Sequence, residues 1–239
     1  MPPPMAQMTH MNCDRLAPYY ERLEHLSFGR SLERSRFAFL RDAAIAEHAI
    51  VCGGGDGRFL ARLLRVNARL EVDFVELSAK MLELAERRVA GMGRTFRARV
   101  SFREADVREF VPRPGGYDLI VTIFFLDCFS EAELGGVVAQ LASWARPEAR
   151  WLLSDFREGE TAIGRLWTRA VIRGLYASFQ WTTGLRVTRL PNYTAALARA
   201  GYALQREERC LGGLLHCSLW EPSPLRAKTM PIQDLRARS

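Results

Sequence analysis

The chain has almost no lysine. Of its 34 basic residues only Lys80 and Lys228 are lysine, and the others are arginine. Histidine is scarce as well: four residues, scattered, with no metal-binding cluster. The five cysteines (Cys13, Cys52, Cys128, Cys210 and Cys217) are odd in number and form no C-x-x-C pair. That usage argues against a disulfide framework or a structural zinc site and points to a reduced compartment. No apolar run approaches the roughly 20 residues of a membrane span. The opening MPPPMAQMTH lacks the apolar core of a secretory signal. The expected location is therefore the cytoplasm.

What is present looks like an ordinary globular chain. It has 239 residues, 48% apolar and 26% charged, enough to bury a full core. The net charge is +7, and residues 222–239 carry four basic residues and one acidic residue of it. A second basic cluster, ERRVAGMGRTFRARVSFR (86–103), does not show charge interleaved with exposed aromatic residues along one face. It reads as a solvated face, and no nucleic-acid partner is expected.

The pattern along the chain divides it. Residues 1–11 are rich in Pro and Met and are expected to be disordered. Residues 12–46 are expected to form a helical lid, with helices in DRLAPYYERLEHL (14–26) and SLERSRFAFLRDAAIAEHA (31–49). From 47 to 222 strands alternate with helices. Strands are expected at HAIVC, LEVDFVE (70–76), ARVSFRE, YDLIVTIFFL (117–126) and ARWLLSDF (149–156). Helices are expected at GRFLARLLRV (57–66), at SAKMLELAERRVAG with Ser78 as its cap and Gly91 at its end, and at EAELGGVVAQLASWA. This alternation predicts an α/β fold with a doubly wound, mostly parallel sheet. Within it, 160–190 reads as a helical insertion, with Ile163, Trp167, Val171 and Leu175 on one face. NYTAALARAGY reads as a short helix. YALQREERCL and LLHCSLWEP, joined by Gly-Gly, then read as a hairpin that closes the sheet with an antiparallel strand. Residues 223–239 are expected to be a basic flexible tail.

The stretch IVCGGGDGRFL (50–60) holds the chemistry. It has four glycines in five residues between a strand and a helix. Such a turn lets a ligand approach backbone N–H groups at a helix N-terminus. Gly53, Gly55 and Gly57 give G-x-G-x-G. The dinucleotide fingerprint would need glycine where Arg58 stands, and a P-loop would need Gly-Lys-Ser/Thr. Both phosphate-gripping readings are weakened. Glu76, 19 residues after Gly57 at the end of the second strand, can accept bonds from both hydroxyls of a ribose. Asp106, after the third strand, can reach an adenine edge, and Leu77 and Met81 can flank the base.

This combination resembles the class I S-adenosylmethionine-dependent methyltransferases. IVCGGGDGRFL matches the first motif of that family, VDFVELSAKMLELAERR its second, FREADVREF its third and YDLIVTIFFLDCF its fourth. ARWLLSDF resembles the strand that follows. The order DRLAPYYERLEHL then GRSLERSR resembles the small-molecule C-methyltransferases of quinone biosynthesis. The resemblance implies a Rossmann-like, seven-stranded sheet with its last strand reversed, S-adenosyl-L-methionine as cofactor and S-adenosyl-L-homocysteine as product. It places Gly53, Gly55 and Gly57 under the methionine part, Glu76 on the ribose, Asp106 with Val107 at the adenine, and Thr122, Ile123 and Phe124 at the methionine end. Tyr20 is a further cofactor candidate. One letter departs from the family: the acidic residue often found two positions before the first glycine is Val51 here, and Asp56 is a substitute candidate.

Methyl transfer from a sulfonium needs alignment and exclusion of water more than acid–base chemistry. Acceptor contacts are expected beyond strands four and five, from Phe124, Phe125, Asp127, Cys128, Phe129, Asp155 and Phe156. The covering residues would be Tyr19, Trp167, Tyr176 and Trp181. Asp127 is the candidate base or acceptor-orienting group and Asp155 the second. Each also has a structural reading, as a loop carboxylate or as packing. The expected activity is methyl transfer to a small apolar or aromatic molecule. The alternatives are a non-catalytic binder on the same fold and an NAD-type oxidoreductase. RNA or protein methylation would call for Asn/Asp-Pro-Pro-aromatic after strand four, where FLDC stands. The sequence leaves monomer and homodimer equally open.

Overall fold

The computed structural model describes residues 30–159, 161–183 and 190–224, with residues 30, 162, 163 and 175–183 described through their backbone alone. The expected helix over 14–26, Tyr19 and Tyr20 lie outside the described residues, and so does most of the basic tail.

Seven strands form one sheet: β1 (His48–Cys52), β2 (Glu71–Glu76), β3 (Val100–Glu104), β4 (Tyr117–Ile123), β5 (Ala145–Phe156), β6 (Tyr202–Cys210) and β7 (Leu215–Pro222). Their spatial order is β3-β2-β1-β4-β5-β7-β6. β1 to β5 pair in parallel, while β7 runs antiparallel to both β5 and β6. The reversed strand is thus β7, as expected from the hairpin. β4 and the second half of β5 are buried on both faces, which is why they read as unbroken apolar runs.

Helices cover the two faces. On one lie α1 (Arg30–Phe37), α2 (Arg58–Val66) and α3 (Ala79–Ala90), where Phe59, Leu63 and Leu64 of α2 and Ala85 and Val89 of α3 pack on Val51, Val72 and Val121 of the sheet. On the other lie α4 (Glu131–Ser143) and α6 (Tyr193–Arg199), whose Leu134, Val138, Leu141 and Leu197 pack on Ile50, Ile120 and Trp151. Between them in sequence, α5 (Ala162–Thr183) contributes Ile172 to a smaller apolar cluster with Leu32, Phe156, Leu214 and Leu215.

Three expectations are corrected. The helix expected over 31–49 stops at Phe37, and a 3-10 turn follows at Leu40–Ala43. Asn67 takes the Ala43 and Ala46 carbonyls at 2.9 and 2.6 Å, and β1 claims His48 and Ala49 by pairing with β2. β4 ends at Ile123, not at 126, because Phe124 adopts a left-handed backbone (φ 48°). Among the described side chains of α5 the buried ones are Thr168 and Ile172, one position on from the expected face, and Trp167 is 47% exposed. Thr168 fixes that rotation: its hydroxyl donates to the Gly164 carbonyl and accepts from the Gly159 N–H.

The α3 cap stands as expected, with the Ser78 hydroxyl accepting from the Met81 N–H at 3.3 Å and Gly91 closing the other end. Replacing Ser78 by Ala is expected to cost about 1 kcal/mol of stability, measured by urea unfolding at unchanged m-value.

Candidate functional site

The register puts the carboxyl ends of four strands level. Cys52 of β1 stands beside Val75 of β2 and Thr122 of β4, and Glu76 stands beside Glu104 of β3. The sheet order reverses between β1 and β4, and ligands of open α/β sheets bind at that point. Asp106, Glu76, the glycine loop and Phe124 therefore follow one another along a single edge.

The loop after β1 is shaped by close approach. Gly53, Gly55 and Gly57 all have left-handed φ (71°, 54° and 78°). A Cβ at Gly53 would lie 2.6 Å from the Ile123 carbonyl oxygen and 2.7 Å from Phe125 Cβ, so only glycine lets the loop meet the end of β4. A Cβ at Gly55 would meet nothing within 4 Å, so this residue borders open space. Gly54 answers to packing: a Cβ there would be 2.2 Å from the Phe74 ring. Val51 is fully buried in the same layer. The loop thus rests on apolar packing where the resembled family often uses an acid.

Glu76 is the centre of the edge. It accepts from the Gly55 N–H at 3.3 Å and from the Ser78 N–H at 3.1 Å, which ties the end of β2 to the glycine loop. Burial raises its carboxyl to about 7, against the lowering effect of the Ser78, Gly55 and Leu77 backbone bonds. Leu77 is half-buried beside it and Met81 is buried at the start of α3. Asp106 is half-buried and accepts from Arg108 through both its guanidinium and its backbone N–H. Burial opposes ionisation of Asp106, but the bonds from Arg108 outweigh it and hold the carboxyl below its ordinary value. Val107 is buried in the core next to it.

Several candidates are placed elsewhere than expected. The Asp56 carboxylate is held between Arg58 (3.0 Å) and Arg88 (2.9 Å), which makes it an anchor between α2 and α3. The Thr122 hydroxyl accepts from Trp151 Nε1 at 2.9 Å and is fully buried, so only its backbone can face a ligand. Ile123 is buried on the opposite face. Phe129 is core, with the Phe125 ring edge-on at 5.1 Å. Trp167 is solvent-facing, and the side chains of Tyr176 and Trp181 lie outside the described set.

The acceptor side is built from fewer residues. Phe124, fixed by its N–H to the Ser154 carbonyl at 2.7 Å, tilts against Phe156 with ring centres 4.9 Å apart. Cys128 and Val171 pack with them on the cluster of Ile172 and Leu214. Asp127 and Asp155 are buried at the ends of the turn after β4 and of β5. Sequence reasoning missed Arg36, whose guanidinium sits 5.3 Å from the Phe124 ring centre, and Ile172. Neither carries a local signal, because only packing of α1 and α5 over the edge brings them in.

Among the described residues no group of His, Cys, Asp and Glu could hold a metal ion. Nor is any described helix long and apolar enough to cross a membrane.

Residues 50–151 match a family model described as a methyltransferase domain. A malonyl-[acyl-carrier protein] O-methyltransferase from Halalkalibacterium halodurans is 34% identical over 123 residues, covering 48% of this chain and 42% of that protein. Among solved structures, a mitomycin 7-O-methyltransferase superposes with a TM-score of 0.62 at 19% identity, over 91% of this chain and 62% of that one. An N-methyltransferase from Bradyrhizobium japonicum, in complex with S-adenosyl-L-homocysteine, superposes with a TM-score of 0.58 at 14% identity, over 80% and 87%. The chain thus spans less than two thirds of the length of the first two relatives.

Proposed function

With residues 50–151 a methyltransferase domain on a class I, S-adenosylmethionine-dependent fold, we propose that this chain moves a methyl group to a small apolar or aromatic acceptor. The observation that carries this is the row along the carboxyl edge: a glycine loop open at Gly55, tied by its N–H to the Glu76 carboxylate, with Asp106 on one side and Phe124 on the other. The residues fit an adenosyl-methionine. Glu76 would accept the ribose hydroxyls and Asp106 the adenine amine, with Leu77 and Met81 flanking the base. The loop backbone from Gly53 to Gly57 would run beneath the methionine part, and the backbone from Thr122 to Phe124 would meet its amino and carboxyl groups. When bound, that group supplies an electrophilic methyl on a sulfonium.

The chain's own residues then align and enclose. Phe124, Phe156, Ile172 and Leu214 make an apolar wall beside the end of β4, which favours an acceptor with apolar or aromatic surface and keeps water away. Asp127 is the group that takes a proton where the acceptor has one to lose. The relatives are named for oxygen and nitrogen methylation, so the acceptor atom is chosen by this wall and by Asp127, not by the fold.

Calorimetry tests the reading. S-adenosyl-L-homocysteine is expected to bind and NAD is not. Binding of NAD without binding of the thioether would overturn the assignment in favour of an oxidoreductase. Binding of the thioether with no transfer to any acceptor would favour the non-catalytic binder.

A pH dependence follows from Glu76. Ribose hydroxyls need the ionised carboxylate as acceptor, and burial holds this carboxyl at about 7 in the ligand-free protein. Affinity for S-adenosyl-L-homocysteine is expected to rise roughly tenfold between about pH 6 and about pH 8, as the ionised fraction grows. The ligand-free fold should show the opposite trend. A carboxyl whose folded value lies above its ordinary 4.5 favours the folded state below 4.5, and that contribution fades as pH rises through about 7. Titration calorimetry and thermal unfolding at matched pH values measure the two slopes.

A further inference from the structure

The Asp106 end of the row is braced from behind. β3 ends at Glu104, and the chain turns over residues 106–109, with the Glu109 N–H on the Asp106 carbonyl at 3.0 Å. The Ala105 N–H donates to the Glu76 carbonyl at 3.2 Å, which ties this turn to the end of β2. α4 holds the turn at two points. The Gln140 side-chain amide donates to the Val107 and Arg108 carbonyls at 3.4 and 3.2 Å. Arg108 Nη1 donates to Glu133 Oε1 at 3.4 Å. The other oxygen of Glu133 serves its own helix, accepting from the Ser130 N–H at 3.0 Å and the Ser130 hydroxyl at 2.6 Å.

The rest of the Arg108 side chain lies along Asp106. Its backbone N–H reaches Oδ1 at 2.9 Å, its Nε stands 3.0 Å from Oδ1 and 3.1 Å from Oδ2, and its Nη2 pairs with Oδ2. Three N–H groups of one residue thus converge on one carboxylate. An ionised carboxyl offers about four lone-pair positions. Two of the N–H groups fill Oδ1, and Oδ2 keeps room for one further donor. The Asp106 side chain is 19% exposed, so that position can be reached from outside. The side-on, charge-assisted contact also fixes the plane of the carboxyl. It favours the ionised form against burial.

Resting on the methyltransferase reading, we propose that Arg108 is a positioning residue that presents Asp106 as one oriented anionic acceptor, and so makes the cofactor site select a base carrying an amine. The amine donates to the open position at Oδ2. A purine with hydrogen in place of the amine brings no donor there and gains nothing from the carboxylate. Without the Arg108 fork the carboxyl rotates about its last side-chain bond, a broad torsion, and the oriented acceptor is lost. Glu133 and Gln140 carry the same order back into α4, so the adenine side is set by a helix far from it in sequence.

The test is calorimetry on the full chain with two thioethers: S-adenosyl-L-homocysteine, and its analogue with hydrogen in place of the adenine amine. The unchanged chain is expected to prefer the amine by at least about tenfold, the size of one hydrogen bond to a charged group. In Arg108→Leu only the amine-bearing ligand should lose affinity, so that the preference shrinks to within about threefold. Asp106→Asn should lose the preference as well. An unchanged preference in Arg108→Leu would overturn the proposal. So would equal weakening of both ligands, which is what a merely structural role predicts. A thermal melt on each sample reports the fold. Should Arg108→Leu fail to fold, Arg108→Lys decides: it keeps the charge but cannot hold both oxygens, and its preference must fall. Binding of neither thioether by the unchanged chain would sink the methyltransferase reading and this proposal with it. Binding with a preference that ignores residue 108 removes the Arg108 role alone.

Discussion

Gly55→Arg is expected to remove S-adenosyl-L-homocysteine binding while leaving the fold intact. A Cβ at this position meets nothing within 4 Å, so the added side chain projects into the space the ligand would fill. The cost to the protein itself is local. At φ 54° a non-glycine residue loses about 1–2 kcal/mol of stability. The cost to binding is larger: overlap with the ligand should weaken affinity at least about a hundredfold, which is more than about 2.7 kcal/mol. Calorimetry and a thermal melt on the same sample read the two effects separately. Retained affinity with normal stability would move the ligand away from the loop. Gly53 is not a useful alternative, because a Cβ there collides with backbone at the end of β4 and the fold itself would be tested.

The second large effect is expected at Glu76. Replacement by Ala removes the carboxylate that accepts the Gly55 and Ser78 N–H groups, and with it the proposed ribose acceptor. Hydrogen bonds to a charged group contribute about 1.5–3 kcal/mol each, so losing even one should weaken affinity roughly 10- to 150-fold. Glu76→Gln keeps the shape and loses the charge, and should fall between wild type and Glu76→Ala. Both variants should also flatten the rise in affinity between about pH 6 and about pH 8, because no carboxyl remains to ionise there. Unchanged affinity in Glu76→Ala would remove the ribose assignment. A normal pH slope in Glu76→Gln would place the titrating group elsewhere.

Why was so much of the edge legible beforehand? Glu76, the glycine loop, Asp106 and Phe124 all follow strand ends, and strand ends are set by short-range patterns. Alternation fixed β2, so Glu76 at its terminus was predictable. The glycine spacing 53–55–57 reflects backbone geometry that only glycine tolerates cheaply, and such a constraint is visible letter by letter. Ser78 as the α3 cap was equally local. Another local signal was present and unread: Ser130 and Glu133 form the capping box of α4.

The side chains that are engaged differently from expectation share a common cause. Asp56 stands in the glycine loop, where sequence position suggests a ligand contact. Yet Arg88, 32 residues away on α3, folds back onto it. Thr122 lies at the end of β4 as expected, but its hydroxyl is turned inward to Trp151 of the neighbouring strand. Trp167 and Thr168 are adjacent, and a helical repeat could bury either. The bonds of Thr168 to Gly164 and Gly159 decide for Thr168.

The sequence by itself determined the order of strands and helices, the reversed last strand and the acids at the ends of β2 and β3. These depend on periodicity, on turn residues and on spacing, which are properties of neighbours along the chain. Only the tertiary structure decided which side chains remain open to a ligand. It locked Asp56 between two arginines, turned the Thr122 hydroxyl into the core and brought Asp127, in the turn after β4, against Asp155 of β5. The reason is physical. Side-chain partners are chosen by packing between segments far apart in sequence, and a carboxylate's charge is set by what surrounds it after the chain has folded.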